Sequence, residues 1–168
     1  MYTLHNKELR YAWYFYGIFF GHRDFSEHLI LENTLENILK RIISEHEYIE
    51  FLIGRNGEFD QFISSTIRKL KPQYTTSIEH ILVLPYTSAE LNNNEQSFRQ
   101  YYDRIEVFTS STTIHFKAQI RARNDSMILR SNLVICYVAK SSGGAYNALR
   151  FADKNMIPVI NLADYIEL

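Results

Sequence analysis

The chain has 168 residues, about the size of one domain, and its composition of 46% hydrophobic and 22% charged residues is ordinary for a globular protein. Its formal net charge of −1 argues against nucleic acid as a partner, because proteins that bind DNA or RNA usually carry a basic stripe that neutralises phosphates. The single cysteine, Cys136, excludes an intramolecular disulfide and favours a reducing compartment, so we expect a cytoplasmic protein.

Apolar runs and helical stripes alternate along the chain. We predict an N-terminal extension over 1–12 and a single domain over 13–168. The predicted strands cover 13–20, 48–53, 78–84, 105–108, 133–138 and 157–162. Between them, apolar residues recur at helical spacing, as in Leu35, Ile38, Leu39 and Ile42. The predicted helices lie around 35–43, 59–70, the stretch that ends near 103, 116–130 and the stretch that begins at 143–144.

This alternation predicts the fold class. The strands are nearly continuous apolar runs, which is typical of a parallel sheet covered on both faces. Right-handed crossovers then favour an α/β fold, a Rossmann-like doubly wound, mostly parallel sheet with helices on both faces. The apolar run over 11–20 is too short to cross a bilayer, so we interpret it as a buried strand and expect no membrane association.

Glycine and polar residues collect after the predicted strands, at the edge of the sheet where ligands bind in such folds. The candidate ligand-binding residues there are Gly21, His22 and Arg23, then Gly54, Arg55, Asn56, Gly57 and Glu58, then Pro85 and Tyr86, and finally Ser142, Gly143, Gly144 and Ala145. A helix start offers unpaired N–H groups, and glycine lets an anion approach the backbone. Two glycine loops could therefore cradle a phosphate or phosphoribosyl group. The alternative is that a tight strand-to-helix connection needs glycine whatever it binds.

The helix over 116–130 and the one over 59–70 add charged candidates. Arg123 and Asn124 share a helix face with Ile120, and a buried guanidinium needs a partner. That partner is either a ligand phosphate or a carboxylate, Glu58 or Asp60. These two acids lie in a first helical turn, where they stabilise the helix dipole. Alternatively, one of them binds ribose hydroxyls or acts as an acid or base in catalysis.

Other chemistry finds no support in the sequence. The six histidines are scattered, with no pair at i, i+4 and no cysteine partner, so we predict no metal site and no cofactor. Neither a phosphate-binding P-loop nor a serine nucleophile elbow is present.

Six motifs follow one another along most of the chain, from about Phe19 to Leu162. They are Phe19-Phe20-Gly21-His22-Arg23, Gly54-Arg55-Asn56-Gly57-Glu58-Phe59-Asp60, Val83-Leu84-Pro85-Tyr86, Tyr101-Tyr102-Asp103, Arg123-Asn124 with Met127, and Gly143-Gly144-Ala145-Tyr146. In this order they resemble the SLOG superfamily, which unites the DNA-processing A and Lonely Guy proteins, and especially its YpsA-like branch of small uncharacterised proteins.

The resemblance implies a Rossmann-like fold that binds nucleotides or nucleotide-derived signals, and a homodimer or higher homo-oligomer by analogy. Lonely Guy enzymes cleave an N-glycosidic bond of nucleoside monophosphates, and their second glycine loop continues into a threonine and a catalytic glutamate. Here Gly143-Gly144 is followed by Ala145-Tyr146-Asn147-Ala148-Leu149-Arg150, without a carboxylate.

Three functions therefore stand as hypotheses. The first is a sensor or sequestering module that binds a nucleotide-derived small molecule. The second is an N-glycosidic hydrolase of nucleoside monophosphates, in which Glu58 or Asp60 is catalytic and Arg123 holds the 5′-phosphate. The third, a DNA-binding module, is disfavoured by the net charge.

Overall fold

The structure, a computed structural model, describes residues 13–55, 57–109 and 115–166. Within these ranges there are six strands: β1 (Tyr14–Gly21), β2 (Tyr48–Ile53), β3 (Ser77–Leu84), β4 (Arg104–Val107), β5 (Leu133–Tyr137) and β6 (Val159–Asn161). They form one parallel sheet in the order β4-β3-β2-β1-β5-β6. The helices are α1 (His28–Glu45), α2 (Glu58–Leu70), α3 (Ala89–Asn93), α4 (Glu95–Tyr101), α5 (Phe116–Leu129) and α6 (Gly144–Lys154), with 3-10 turns at Lys71–Gln73 and Leu162–Tyr165.

Helices cover both faces of the sheet, and each face has its own apolar core. On the first face, α1 and α2 bury Leu35, Leu39 and Ile63 completely against the strands. On the second face, Ile128 of α5 and Ala152 of α6 pack over β1 and β5. The predicted doubly wound, Rossmann-like α/β fold is confirmed.

The strand order places a crevice at the carboxyl end of β1. From β1 the chain winds outward through β2 and β3 to β4, then returns to β5 on the other side of β1. The connection after β1 therefore crosses one face of the sheet, and the connection after β5 crosses the other. The first turns of α2 and α6 lie near this point. Ligands of open parallel sheets bind at such a reversal of strand order.

The amino-terminal halves of β2, β3 and β4 carry a charged cluster on the second face, which the sequence analysis did not anticipate. Arg104 contacts Glu50 at 3.0 Å, Glu79 at 2.7 Å and Glu106 at 3.2 Å, and Arg130 contacts Glu106 at 2.7 Å. Glu50 is buried, and a buried carboxylate without a cationic partner would destabilise the fold. The contacts of Arg104 supply that partner and link the three strands.

The predicted extension over 1–12 lies outside the described residues. Within the ranges that the structure describes, no helix combines the length and apolar character needed to cross a bilayer.

Candidate functional site

A cavity of about 250 Å³ opens at the carboxyl ends of β1 and β2, and we call it the glycine-loop cavity. It is lined by Phe19, Phe20, Gly21, His22, Arg23, Gly54, Gly57, Phe59, Asp60, Ile120, Arg123, Asn124, Gly144 and Ala145. The two glycine loops, which are 90 residues apart in sequence, thus contribute to one cavity together with the predicted face of α5.

Two of these glycines are required by packing. A β-carbon on Gly21 would lie 2.5 Å from the ring of Phe59, so β1 and α2 touch only because Gly21 has no side chain. A β-carbon on Gly57 would lie 3.0 Å from the Cα of Arg23. The loops after β1 and β2 are therefore pressed together, which fixes the floor of the cavity.

Arg123 reaches the cavity from α5 and is 6% exposed. Its Nη1 donates a hydrogen bond to the carbonyl of Val83 at 2.8 Å, whereas its Nε has no hydrogen-bond partner among the described residues. Burial lowers the pKa of Arg123, and the carboxylate of Asp60 opposes that shift. The guanidinium remains charged in the physiological range, since an isolated arginine has a pKa above about 12. Arg123 is therefore a buried cation on the cavity lining, and its Nε has no hydrogen-bond partner among the described residues.

Asp60 and Glu58, the candidate acids, have different surroundings. Asp60 lies on the cavity wall near Arg123: a β-carbon on Gly54 would lie 3.2 Å from Oδ2 of Asp60 and 3.0 Å from Nη1 of Arg123. Glu58 turns away, because its Oε2 accepts a hydrogen bond from the backbone N–H of Phe25 at 3.0 Å. Of the two carboxylates considered as partners of Arg123, Asp60 is the one that faces it.

The amino termini of α2 and α6 are not equivalent. The N–H of Glu58, the first residue of α2, donates to the carbonyl of Arg23 at 3.1 Å, so part of that helix end is already satisfied. In α6, the first amides belong to Gly144 and Ala145 and have no acceptor within the helix. Among the described residues, a β-carbon on Gly144 would meet nothing within 4 Å, so the amino terminus of α6 is the more open of the two.

Gly143 allows a ligand to approach the amino terminus of α6. It precedes α6 with φ of 92°, a left-handed conformation that glycine adopts without strain. Ser142 and Gly143 are exposed beside the cavity without lining it.

His22 positions the loops around the cavity. Its ring nitrogen Nε2 accepts a hydrogen bond from the backbone N–H of Lys140 at 3.1 Å. The backbone N–H of His22 donates to the carbonyl of Tyr137. Burial and the nearby charge of Lys140 lower the pKa of His22, in agreement with a neutral ring that accepts a hydrogen bond. This residue ties the loop after β1 to the loop after β5.

Other predicted site residues lie elsewhere. Arg55 contacts Oε1 of Glu90 at 2.6 Å, and its guanidinium lies 4.4 Å from the ring centre of Phe98. Pro85 is buried, and the ring of Tyr86 lies 5.8 Å from that of Phe116; neither lines the glycine-loop cavity. Asn56 lies outside the described residues.

A second cavity, of about 740 Å³, lies between α2 and α4, and we call it the aromatic cavity. Its lining includes Phe25, Arg55, Asp60, Phe62, Ser64, Ser97, Phe98, Tyr101 and Tyr102. Sequence reasoning missed it, although the high aromatic content and the Tyr101-Tyr102 pair were visible. Asp60 lines both cavities, so they are neighbours across the first turn of α2.

A polar chain forms one wall of the aromatic cavity. Ser64 Oγ lies 3.0 Å from Nε2 of His80, and the hydroxyl of Tyr102 also pairs with Ser64. Burial raises the pKa of Tyr102 to about 12 and lowers that of His80 to about 4, so both side chains are neutral near pH 7. The cavity therefore combines aromatic faces and hydroxyl groups with the charged side chains of Arg55, Glu58 and Asp60.

Comparison with known proteins supports the fold. No family model matches the chain, and no curated protein matches it. Among solved structures, DNA processing protein A from Helicobacter pylori is similar over 86% of this chain, with a TM-score of 0.59 and 15% identity. DNA processing protein A from Streptococcus pneumoniae is similar over 87%, with a TM-score of 0.62 and 14% identity. This chain covers 63% of the first structure and 49% of the second. The likeness establishes the fold, which is the one that the SLOG resemblance implied.

The comparison also corrects one expectation. The Helicobacter protein binds single-stranded DNA. Our argument against nucleic acid as a partner was wrong, because it relied on the net charge of the whole chain. Affinity for a strand depends on cations at the site, and opposite charges elsewhere on the surface can cancel them in the sum.

Proposed function

We propose that this domain binds nucleotides, with a phosphate group held in the glycine-loop cavity between Arg123 and the amino terminus of α6. One observation carries the proposal: Arg123 is buried at the cavity and its Nε has no hydrogen-bond partner among the described residues. A buried polar group without a partner is costly, and a phosphate oxygen would satisfy it with a charge-assisted hydrogen bond.

The other contacts suit the same ligand. The amides of Gly144 and Ala145 would donate to further phosphate oxygens, as helix amino termini do in many phosphate sites. Asp60 would accept hydrogen bonds from ribose hydroxyls. Its negative charge repels the phosphate, so it would contact the sugar and not the phosphate. The motifs shared with the YpsA-like branch and its nucleotide-binding relatives are consistent with this assignment.

Two sources of the nucleotide are compatible with these contacts. One is a free nucleotide or nucleotide-derived signal, for which the domain would be a sensor or a sequestering module. The other is a single strand of nucleic acid, favoured by the structural likeness to the Helicobacter protein. A phosphodiester and a phosphomonoester offer the same anionic oxygens to Arg123.

We propose binding without cleavage. Hydrolysis of an N-glycosidic bond needs a carboxylate that is available at the anomeric carbon. The Glu58 carboxylate is engaged by the N–H of Phe25, and we assign Asp60 to the ribose hydroxyls instead. Chromatography of AMP, GMP, CMP and UMP after long incubation with the protein should recover intact nucleotides, and release of free base would identify a hydrolase instead.

Titration calorimetry with nucleoside 5′-monophosphates and the corresponding nucleosides tests the proposal. The monophosphates should bind and the nucleosides should not. Arg123→Met should weaken binding at least about tenfold, because a hydrogen bond to a charged group contributes about 1.5–3 kcal/mol. Arg123→Lys, which keeps the charge but lacks the Nε donor, should be intermediate.

Arg121→Met is the matched control. Arg121 is on the same helix, is 73% exposed and, among the described residues, has a single charged contact, to Asp125 at 3.9 Å. It should bind like the wild type. The proposal fails if no monophosphate binds, or if Arg121→Met and Arg123→Met weaken binding equally.

A further inference from the structure

The glycine-loop cavity is too small for a whole nucleotide. Ligand pockets for molecules of drug size have volumes of about 300–1,000 Å³, and this cavity has about 250 Å³. A phosphate with part of its sugar fits that space, so the base must lie outside it. The neighbouring aromatic cavity, at about 740 Å³, has the room and shares Asp60 with the first.

The walls of the aromatic cavity offer flat stacking surfaces. The guanidinium of Arg55 lies 4.4 Å from the ring centre of Phe98, and both residues line the cavity. Bases of single-stranded nucleic acids stack both on aromatic rings and on arginine planes. An arginine already held against an aromatic ring in the cavity wall is therefore a preformed platform for a base.

The polar groups of the cavity are suited to the edge of a base. The side chains of Ser64, Ser97 and Tyr102 are neutral hydroxyl groups, each both donor and acceptor. Such groups can pair with the ring nitrogens and exocyclic groups of any base. The lining also carries Arg55, Glu58 and Asp60, so charges of both signs flank these hydroxyl groups.

We propose that the aromatic cavity is a base-binding subsite for the nucleotide whose phosphate is anchored by Arg123. This inference rests on the proposed function. It assigns the ligand class as a nucleotide with an intact base, supplied either free or within a single strand. The Arg55–Glu90 pair at the rim is partly exposed, so a strand phosphate can take the place of Glu90 at Arg55 at little cost.

Three probes separate the two subsites: ribose 5-phosphate, dTMP and the oligonucleotide dT6. In the wild type, dTMP should bind at least about fivefold more tightly than ribose 5-phosphate, the lower end of what one base–aromatic stack contributes. A further gain from dTMP to dT6 identifies a strand as the source, and equal affinity identifies the free nucleotide. Both results support a base subsite.

Ser97→Trp tests the location of the subsite. Ser97 is exposed on α4 and lines the aromatic cavity, so a tryptophan there should fill the cavity without disturbing the core. The advantage of dTMP over ribose 5-phosphate should disappear, while ribose 5-phosphate binds as before. Gln100→Trp, at an exposed position of the same helix outside the cavity lining, should keep the advantage.

Tyr101→Leu provides a second variant in case the tryptophan perturbs α4. It removes one stacking face and should reduce the advantage of dTMP. If ribose 5-phosphate and dTMP bind equally in the wild type, or if Ser97→Trp leaves the advantage intact, the base subsite is wrong and the phosphate site stands. If neither probe binds, the proposed function itself is wrong.

Discussion

Gly21 and Gly144 line the same cavity but differ in what their missing side chains allow. A β-carbon on Gly21 would collide with Phe59 at 2.5 Å, whereas one on Gly144 would meet nothing. Gly21→Ala should lower the free energy of unfolding by about 1–3 kcal/mol, the usual cost of overpacking. Gly144→Ala should leave it unchanged or slightly higher, because alanine favours helix over glycine.

Urea denaturation of the two alanine variants measures this difference. Gly144→Ala should at the same time weaken binding of monophosphates, since its methyl group occupies the space above the open helix end. Equal stability of Gly21→Ala and the wild type would show that β1 and α2 can separate without cost.

His80 should make the stability depend on pH. Burial lowers its pKa from 6.5 to about 4, with Asp103 opposing the shift. The unfolded chain therefore takes up a proton at a higher pH than the folded one. This contribution to stability is complete above about pH 6.5 and is lost as the pH falls through 4. Between pH 7.5 and 5, the free energy of unfolding should fall by about 2 kcal/mol through His80 alone.

His80→Gln isolates that contribution. Glutamine can still hydrogen-bond to Ser64 but does not titrate. Its free energy of unfolding should decline less between pH 7.5 and 5 than that of the wild type. Parallel pH profiles would mean that the ring of His80 is protonated without cost in the folded protein.

Residue contacts between distant parts of the chain were the least predictable part of the site. The position of Arg123 on the face of Ile120 identified it as a buried guanidinium in need of a partner. Arg123 faces Asp60 and not Glu58, because the Glu58 carboxylate accepts a hydrogen bond from the N–H of Phe25. Arg55 was predicted for the phosphate because its loop is rich in glycine. Its contacts with Glu90 and Phe98 arise from a segment whose path no local pattern reveals.

At the scale of elements, several predicted bounds agree with the structure. The strand over 48–53 and the helical start at 116 agree with the observed bounds, and the proline-containing turn Lys71–Gln73 follows the end of α2. The first helix begins at His28, earlier than its predicted stripe. Leu29 and Ile30 in its first turn are exposed, so they did not extend the apolar pattern.

The charged cluster on the second face escaped the sequence analysis because parallel strands were expected to be apolar on both sides. Arg104 connects carboxylates of β2, β3 and β4. Arg104→Met should lower the free energy of unfolding by on the order of 2 kcal/mol, since it leaves the buried Glu50 beside other carboxylates.

Arg99→Met is the control for Arg104→Met. Within the part of the chain that the structure describes, Arg99 pairs with Glu95 of α4 alone, and both side chains are more than half exposed. Its loss should cost less than about 0.5 kcal/mol. If both variants have the stability of the wild type at pH 7, the cluster does not hold the strands together.

For the molecule as a whole, net charge is a poor guide to its partners, because the candidate contacts to phosphate are few and local. Charge pairs such as Arg104 with its glutamates contribute to the sum of −1 without affecting the carboxyl edge of the sheet. At that edge lie the buried Arg123 and the rim residue Arg55. The topology, in which β1 and β5 meet at a reversal of the strand order, collects these groups irrespective of the remaining surface.

Salt dependence of binding to dT6 therefore distinguishes a local site from a basic track. Each phosphate contact with a single strand contributes about −0.7 to the slope of log K against log salt. Contacts at Arg123 and Arg55 predict a slope of about −1.4, measured by fluorescence anisotropy between 50 and 300 mM salt. Arg55→Met should reduce it to about −0.7, and Arg121→Met should leave it unchanged. A slope steeper than about −3 would require cations beyond these two, and with them a binding path that the two cavities do not describe.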